Sequence, residues 1–564
     1  MLTRRRFLTT SSLALTGDWL LSPLHRMWAS PHAPGTRRIV IPPGANVPVA
    51  HFLEPVATPE AMRALAATAI DAAKQAGADW ADIRIGTGRS YGAEWNGHVT
   101  YNYGIRVRMG GVEAFIGGGD PTTARLVASA RSAVATARGL ASGFAVEGLS
   151  RGSGGSTDGL SPVPAVTGEW ATPYEIDPFA VTVDEHEHVN RSLNGMDDVR
   201  LAQANVERGG GVIFLADTRV IASSEGTMVT QELRNVHITQ DYIRRRSWRP
   251  KDGGPIELPF AGGGSRAGGF EALARLTRFA QLEEAAQDLV RCEQLPGKVV
   301  DVGRYPVVLD GAAHASVLES AFVPALSLRR ALWNDLDIGG SSPLHPVEDV
   351  LGQPRFSPLL TLQVDTTPPA FGACRWDAEG VPATGGPLIA NGVVVNYVAT
   401  RTTHAILTAC LAAASSGSGP RSVPPLLGGT AVDRASDAPS EFPMALAMPA
   451  AAAGETLEGL AKQLGTGVLV RGGDAVMNPE GTGGILRPMM MFEVKGGQLA
   501  RRLFGASLQF STKKLFAGLK VLGNASTLGE ATHGRHTGFA KTSNLTSMRA
   551  PAALYAGMDV TNHQ

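Results

Sequence analysis

"VVLDGAAHASVLESAFVPALSLRRALW", residues 307–333, reads as a strand running into an amphipathic helix with one acid, Glu319, in its first turn. The pattern of the chain changes at this joint. From Val307 onward short strands and turns dominate. "PLIANGVVVNYVA" predicts a hairpin about Asn391-Gly392, and "TGVLVRGGDAVMNPEGTGGILRPMMMFEVKGGQLARRLF" a series of strands. Residues 301–564 are therefore expected to form a β-rich C-terminal domain.

Ahead of the joint, helices and strands mix. "TPEAMRALAATAIDAAKQAGA" offers Thr58 as N-cap, Pro59 at the first helical position and Gly77 as the stop, with Met62, Leu65, Ala69, Ile70 and Ala73 on one face. "ADIRIG" alternates as a strand. "YGAEWNGHVTYNYGIRVRMGGVEAFIGGG" predicts further strands turned at Asn96-Gly97 and Gly110-Gly111. Asp120-Pro121 opens a second helix that is expected to end at Gly139. Residues 58–140 thus read as an N-terminal domain of helices on an antiparallel sheet, and the fold class as α+β. Residues 141–300 read as a linker and central segment. A Gly/Ser/Pro-rich loop comes first, then an extended stretch entering a helix at "DEHEHVN". A strand pair turned at Asp217-Thr218 follows, and then a long amphipathic helix over 268–292.

Bulk composition narrows the function classes. The 564 residues carry 51 Lys+Arg against 51 Asp+Glu, so no net field draws the chain to nucleic acid or an anionic membrane. Three widely spaced cysteines, Cys292, Cys374 and Cys410, form no CxxC and no disulfide framework. No stretch of 18 consecutive apolar residues predicts a membrane span. "TRRRFLTT" (3–10) before the modestly apolar "LALTGDWLLSPL" makes residues 1–35 similar to a twin-arginine export leader, with 36–57 extended behind it. Export to the periplasm is the expectation; a basic tail on a cytoplasmic protein is the alternative.

Few motifs carry chemistry by themselves. His186 and His188 are two apart, lack the H-E-x-x-H arrangement, and read as part of a solvated helix start. His533 and His536 have i, i+3 spacing without a third ligand nearby. "FAGGGSRAGGF" (260–270) lacks the Lys-Ser/Thr ending of a phosphate loop and reads as flexible. Asp377 and Glu379, beside a glycine turn, read as a solvated hairpin. No G-x-S-x-G occurs.

The order of several segments resembles the TldD/PmbA family of metalloproteases and their non-catalytic partners. They are "ADWADIRIG", "YGIRVRMGGVEAFIG", "WATPYEIDPFAV", "RVIASSEGTMVTQEL", "RWDAEGVPATGGPLIANGVVVNYVATRTTHA", "FEVKGGQLAR" and "MRAPAALYAGMDV". The resemblance implies zinc held by a His-Glu-x-x-x-His helix and a late cysteine, with an open position for water and the Glu as general base. Laid on that pattern, Glu319 keeps the acid, but the histidine positions fall on Leu318 and Val323. The cysteine falls on Phe539, with Lys541 two residues on. Hydrocarbon offers a cation no lone pair, so no cofactor is expected. The implied role is a metal-free subunit beside a metal-bearing TldD-like homologue, in a hetero-oligomer that encloses unfolded or extended peptide. A first alternative is an active zinc metallopeptidase with displaced ligands from His314, His533 or His536, His345 lying beyond the helix. A second is a stand-alone periplasmic peptide-binding protein.

Overall fold

The computed structural model describes residues 35–562 apart from 93–94, 147–158, 197, 204–205, 246–263, 276–282, 285, 288–294, 334–341, 415–421, 433 and 538–541. The leader reading, Cys292, Phe539 and Lys541 lie outside the described residues.

Three sheets carry the chain. The first joins β1 (Thr36–Ile39), β2 (Trp80–Gly92), β3 (Trp95–Met109), β4 (Val112–Gly119), β5 (Thr167–Ala171), β6 (Val206–Ser223), β7 (Met228–Arg245) and β8 (Ser265–Ala267). Its order is β1-β3-β2-β6-β7-β5, with β4 on β3 and β8 on β7. Helices α1 (Pro59–Gln75) and α2 (Thr123–Val146) cover one face. Thr58 caps α1 by accepting from the Ala61 amide at 3.3 Å. The apolar members of the alternating strands meet these helices: Ala81, Ile83 and Ile85 of β2, Ile105 and Val107 of β3, and Val220 and Ala222 of β6. The intervening residues, Asp82, Arg84 and Gly86 of β2 and Gly104 and Arg106 of β3, line the other face. In an isolated sheet that face would be wet. Here Asp82, Arg84 and Arg106 are buried, because loops from the C-terminal domain lie over them.

The second sheet comprises β9 (Gly297–Val299), β10 (Gly303–Leu309), β15 (Gly467–Met477), β16 (Gly483–Lys495), β17 (Gln498–Phe504), β18 (Ala506–Ser511), β19 (Leu519–Leu522) and β22 (Ala553–Asn562). Pairing of β15 with both β10 and β16 closes β15, β10, β22, β18 and β16 into a ring. The third sheet runs β13 (Val393–Val394), β12 (Gly386–Ala390), β11 (Leu362–Val364), β14 (Ala445–Ala447), β21 (Thr542–Ala550), β20 (Gly529–Thr537). Between the second and third sheets runs α4 (Gly311–Ala325), packed on β15, β20 and β21. The helix expected to be amphipathic is buried on every side, which suits a surface apolar all round.

Several expected boundaries move. Asn96-Gly97 lies inside β3, and the Asp217-Thr218 turn is mid-strand in β6; the chain reverses instead at Ser224-Glu225-Gly226, with Gly226 at φ 105°. Gly139 does not stop α2, which runs on to Val146, because a single glycine costs a helix only about 1 kcal/mol. The long helix expected over 268–292 opens as a 3-10 turn, Phe270–Arg275; residues 283–284 and 286–287 are helical, and the remainder lies outside the described residues. The turns at Gly110-Gly111 and Asn391-Gly392 stand as read, all four residues having positive φ. Around Gly159–Ala171 the chain is no loose linker: Ser161 is tied to α6 (Arg401–Ala414), and β5 runs parallel to β7.

Candidate functional site

Helix α4 begins where Asp310 caps it. The Asp310 Oδ1 accepts from the Ala313 amide at 2.8 Å and from the Gly472 amide at 3.0 Å, tying the helix start to β15. At Gly311 a Cβ would stand 2.2 Å from the Thr527 carbonyl, so only glycine fits that approach. Glu319 therefore lies in the third turn, not the first. Ser320 donates to the Ala475 carbonyl at 2.5 Å and Ser316 accepts from the Ala475 amide at 2.9 Å, which fixes one face of α4 on β15.

Leu318 and Val323 are buried in the main hydrophobic core, and Glu319 is fully buried beside them in sequence. His314, one turn before Leu318, is wholly buried and spoken for. Its Nδ1–H donates to the Pro551 carbonyl at 2.7 Å, and its Nε2 accepts from the Tyr555 hydroxyl at 2.8 Å. Neither ring nitrogen has a lone pair left for a cation. Burial pushes the imidazole down to about 4, so it stays neutral. His345 donates from Nδ1 to the Ala331 carbonyl at 2.7 Å. His533 and His536 lie on β20 opposite Thr546 and Ser543; their i, i+3 spacing is that of a helical turn, and β20 is a strand. Among the described residues no three His, Cys, Asp or Glu side chains come together as a metal site.

A second constellation was misread from sequence. Asp377 and Glu379, expected in a solvated hairpin, are both buried. Asp377 Oδ1 accepts from the Glu379 and Val381 amides at 2.8 and 3.0 Å, and its Oδ2 from the Thr430 hydroxyl at 2.6 Å. The turn they form leaves Gly380 at φ 74°. Glu379 accepts from the Arg401 amide at 2.8 Å, at the start of α6, and pairs with Arg106 of β3 at 2.7 Å. A carboxylate at a helix start meets the positive end of the helix dipole. Arg106 also pairs with Asp82 at 2.6 Å, and Arg84 donates to the carbonyls of Ala378 and Asp437.

From the Ser-Glu-Gly turn, Glu225 holds the Arg401 guanidinium in a two-pronged pair at 2.6 and 2.9 Å and accepts from the Trp80 indole at 2.9 Å. Arg401 Nε donates to the Ser161 carbonyl at 2.9 Å. At α5 (Leu328–Trp333), Glu441 accepts from the Arg329 amide at 2.6 Å and from the hydroxyls of Ser327 and Thr403 at 2.8 and 2.5 Å. Two short motifs, Ser-Glu-Gly and Asp-Ala-Glu-Gly, thus bolt the N-terminal sheet to the C-terminal domain.

The remaining sequence candidates are structural. His186 is not solvated: it is buried in α3 (Val183–Leu193), ringed by Tyr91, Phe214 and Phe270, and donates from Nε2 to the Pro178 carbonyl at 2.6 Å. Burial pushes it down to about 4. In the glycine-rich 260–270 stretch, Ser265 and Arg266 belong to β8 and are buried, so the described part is no flexible loop. Cys374 and Cys410 are free thiols, and burial pushes Cys374 up to about 12.

Residues 302–562 match the family described as the PmbA/TldA metallopeptidase C-terminal domain. No curated protein matches the chain. Among solved structures, a protein described as a modulator of DNA gyrase from Thermotoga maritima aligns with TM-score 0.59 and 15% identity, over 88% of this chain and 99% of its own. A second protein so described, from Bacteroides thetaiotaomicron, gives 0.61 and 15%, over 89% and 98%. TldE from Thermococcus kodakarensis gives 0.58 and 14%, over 88% and 100%. At these identities the likeness is one of fold.

Proposed function

Residues 302–562 belong to the PmbA/TldA metallopeptidase C-terminal domain family, and from that premise we propose that the chain is the metal-free partner subunit of a peptide-processing assembly. One observation carries the reading. At the positions where the family pattern asks for zinc ligands on α4, Leu318 and Val323 are core hydrocarbon, and the nearest imidazole, His314, has both nitrogens committed to Pro551 and Tyr555. Zinc needs about three protein donors with free lone pairs. The described residues of α4 do not fit that demand.

In this role the chain lines the cavity and completes a metal-bearing homologue. An extended peptide would be held by strand addition. The reading places the pair outside the cytoplasm, on the "TRRRFLTT" leader. Among the described residues no helix is long and apolar enough to cross a membrane.

The test is co-expression with a TldD-like homologue that keeps both histidines and the cysteine. The expected result is a co-purifying complex whose zinc and peptidase activity are lost when the partner's ligands are mutated. Activity or stoichiometric zinc in this chain alone would favour displaced ligands. Peptide binding without any complex would favour a stand-alone binding protein.

A further inference from the structure

At one rim of the N-terminal sheet a strand leaves half of its backbone groups unpaired. β5 (Thr167–Ala171) ends the sheet and runs parallel to β7 in unbroken register, Thr167 beside Met228 and Ala171 beside Glu232. The bonds at its two ends fix which groups face inward. The Val166 carbonyl accepts from the Met228 amide at 2.9 Å, and the Thr172 amide donates to the Glu232 carbonyl at 2.9 Å. A parallel ladder engages alternate residues of each strand. Gly168 and Trp170 therefore bond β7, and the N–H and C=O groups of Thr167, Glu169 and Ala171 point outward. Among the described residues none of these six groups has a hydrogen-bond partner, and all three residues are exposed.

Proteins blunt such a rim with lysine, proline, a bulge or a covering element. β5 contains no lysine or proline, and its register with β7 does not shift. The rim continues along residues 172–177, where the apolar side chains of Tyr174 and Ile176 are half-exposed.

The charge beside the rim has one sign. On the α1 side, Arg63 serves both Glu169 at 2.5 Å and Glu60 at 3.1 Å, while Arg234 of β7 serves both Glu232 and Asp177 at 2.6 Å. Two guanidiniums against four carboxylates leave two negative charges unmatched. Glu60 and Glu169 are the most open of the four, 74% and 70% exposed. On the opposite face of β5, Trp170 packs with Ile221, Val229 and Trp376.

We propose that β5 is a docking edge for an extended polypeptide segment in which basic residues alternate with apolar ones. The outward groups of Thr167, Glu169 and Ala171 supply the ladder bonds. Side chains of an added strand fall alternately on the two faces. One set meets Glu169 and its neighbouring carboxylates, and the other continues the apolar face of Trp170. A second copy of this chain is the wrong occupant for its own edge. From Gly159 to Asn190 the sequence has no lysine or arginine. Antiparallel pairing centred on Glu169 would set that carboxylate against its twin, which destabilises a sheet. The proposal takes strand addition from the proposed function and rests on it to that extent. Binding at this edge needs no metal-bearing homologue, so loss of the complex and loss of the edge are separate results.

The test uses the whole chain alone and two labelled ten-residue peptides, one alternating lysine with valine and threonine, the other with glutamate in place of lysine. Fluorescence anisotropy should show the lysine peptide binding about tenfold more tightly. Ala171→Pro removes one outward N–H and no bond to β7, and should weaken binding about fivefold or more at an unchanged melting temperature. Glu169→Lys, at an exposed ion pair of small energetic weight, should abolish the preference for lysine while the protein stays folded. Equal binding of the two peptides, no binding of either, or affinity unchanged in both variants overturns the proposal. So does self-association of the wild-type chain that Ala171→Pro abolishes, since the occupant would then be a second copy.

Discussion

The Tyr555 hydroxyl donates to His314 Nε2 across 2.8 Å in the centre of the C-terminal domain. With the Pro551 carbonyl on the other nitrogen, this bond makes the imidazole one turn before Leu318 a packing element. Its neutral state is the one that fits.

Because burial lowers His314 from 6.5 to about 4, the unfolded chain takes up a proton before the folded one does. The stability it contributes is complete above about pH 6.5 and is lost as pH falls toward 4, by on the order of 3 kcal/mol. His186 and His237, lowered to about 4 and about 3, act in the same direction. Urea unfolding at pH 7 and pH 4.5 should show the loss. Tyr555→Phe, which strands Nε2, should cost about 1–3 kcal/mol at pH 7.

Arg106 is the hub between the domains, pairing with Asp82 and Glu379, which are both buried. Arg106→Leu leaves Glu379 without its cation and Asp82 with only Arg84, 3.6 Å away, and is expected to cost about 3–5 kcal/mol. A urea midpoint unchanged from wild type would show that the junction does not depend on this residue.

Gly117→Ala sets a methyl against the Ser436 carbonyl, 2.1 Å from the ideal Cβ position. About 1–3 kcal/mol of overpacking is expected, relieved by moving the 435–437 backbone off the sheet. Limited proteolysis should then cut within 430–440 while the wild-type protein stays intact there.

Much of the fold was legible where local chemistry decides it. Thr58-Pro59 starts α1, and Asn391-Gly392 and Gly110-Gly111 turn hairpins, because capping and positive φ need only neighbours in sequence. The junction was not legible. Asp377 and Glu379 look like a solvated turn until Arg106 and Thr430 arrive from distant parts of the chain. Nothing local marks such a partner; the one available signal was arginine alternating along strands β2 and β3, more charge than a helix-packed sheet requires. The Asp217-Thr218 turn failed for a related reason: polar residues mid-strand face the buried junction, where Asp217 pairs with Arg219.

Glu319 separates the two readings of α4. In the metal-free account it is not a general base, and Glu319→Gln should leave the peptidase rate of the assembled pair within about twofold. A general base removed from a zinc site costs about a hundredfold or more. The rate should be measured in the complex, with the partner's own acid intact.

The most direct measurement is the metal content of the purified chain, expressed without a TldD-like homologue and dialysed against zinc-buffered solution. The account predicts no stoichiometric zinc. One tightly held zinc per chain, lost when His314, His533 or His536 is replaced, would contradict it.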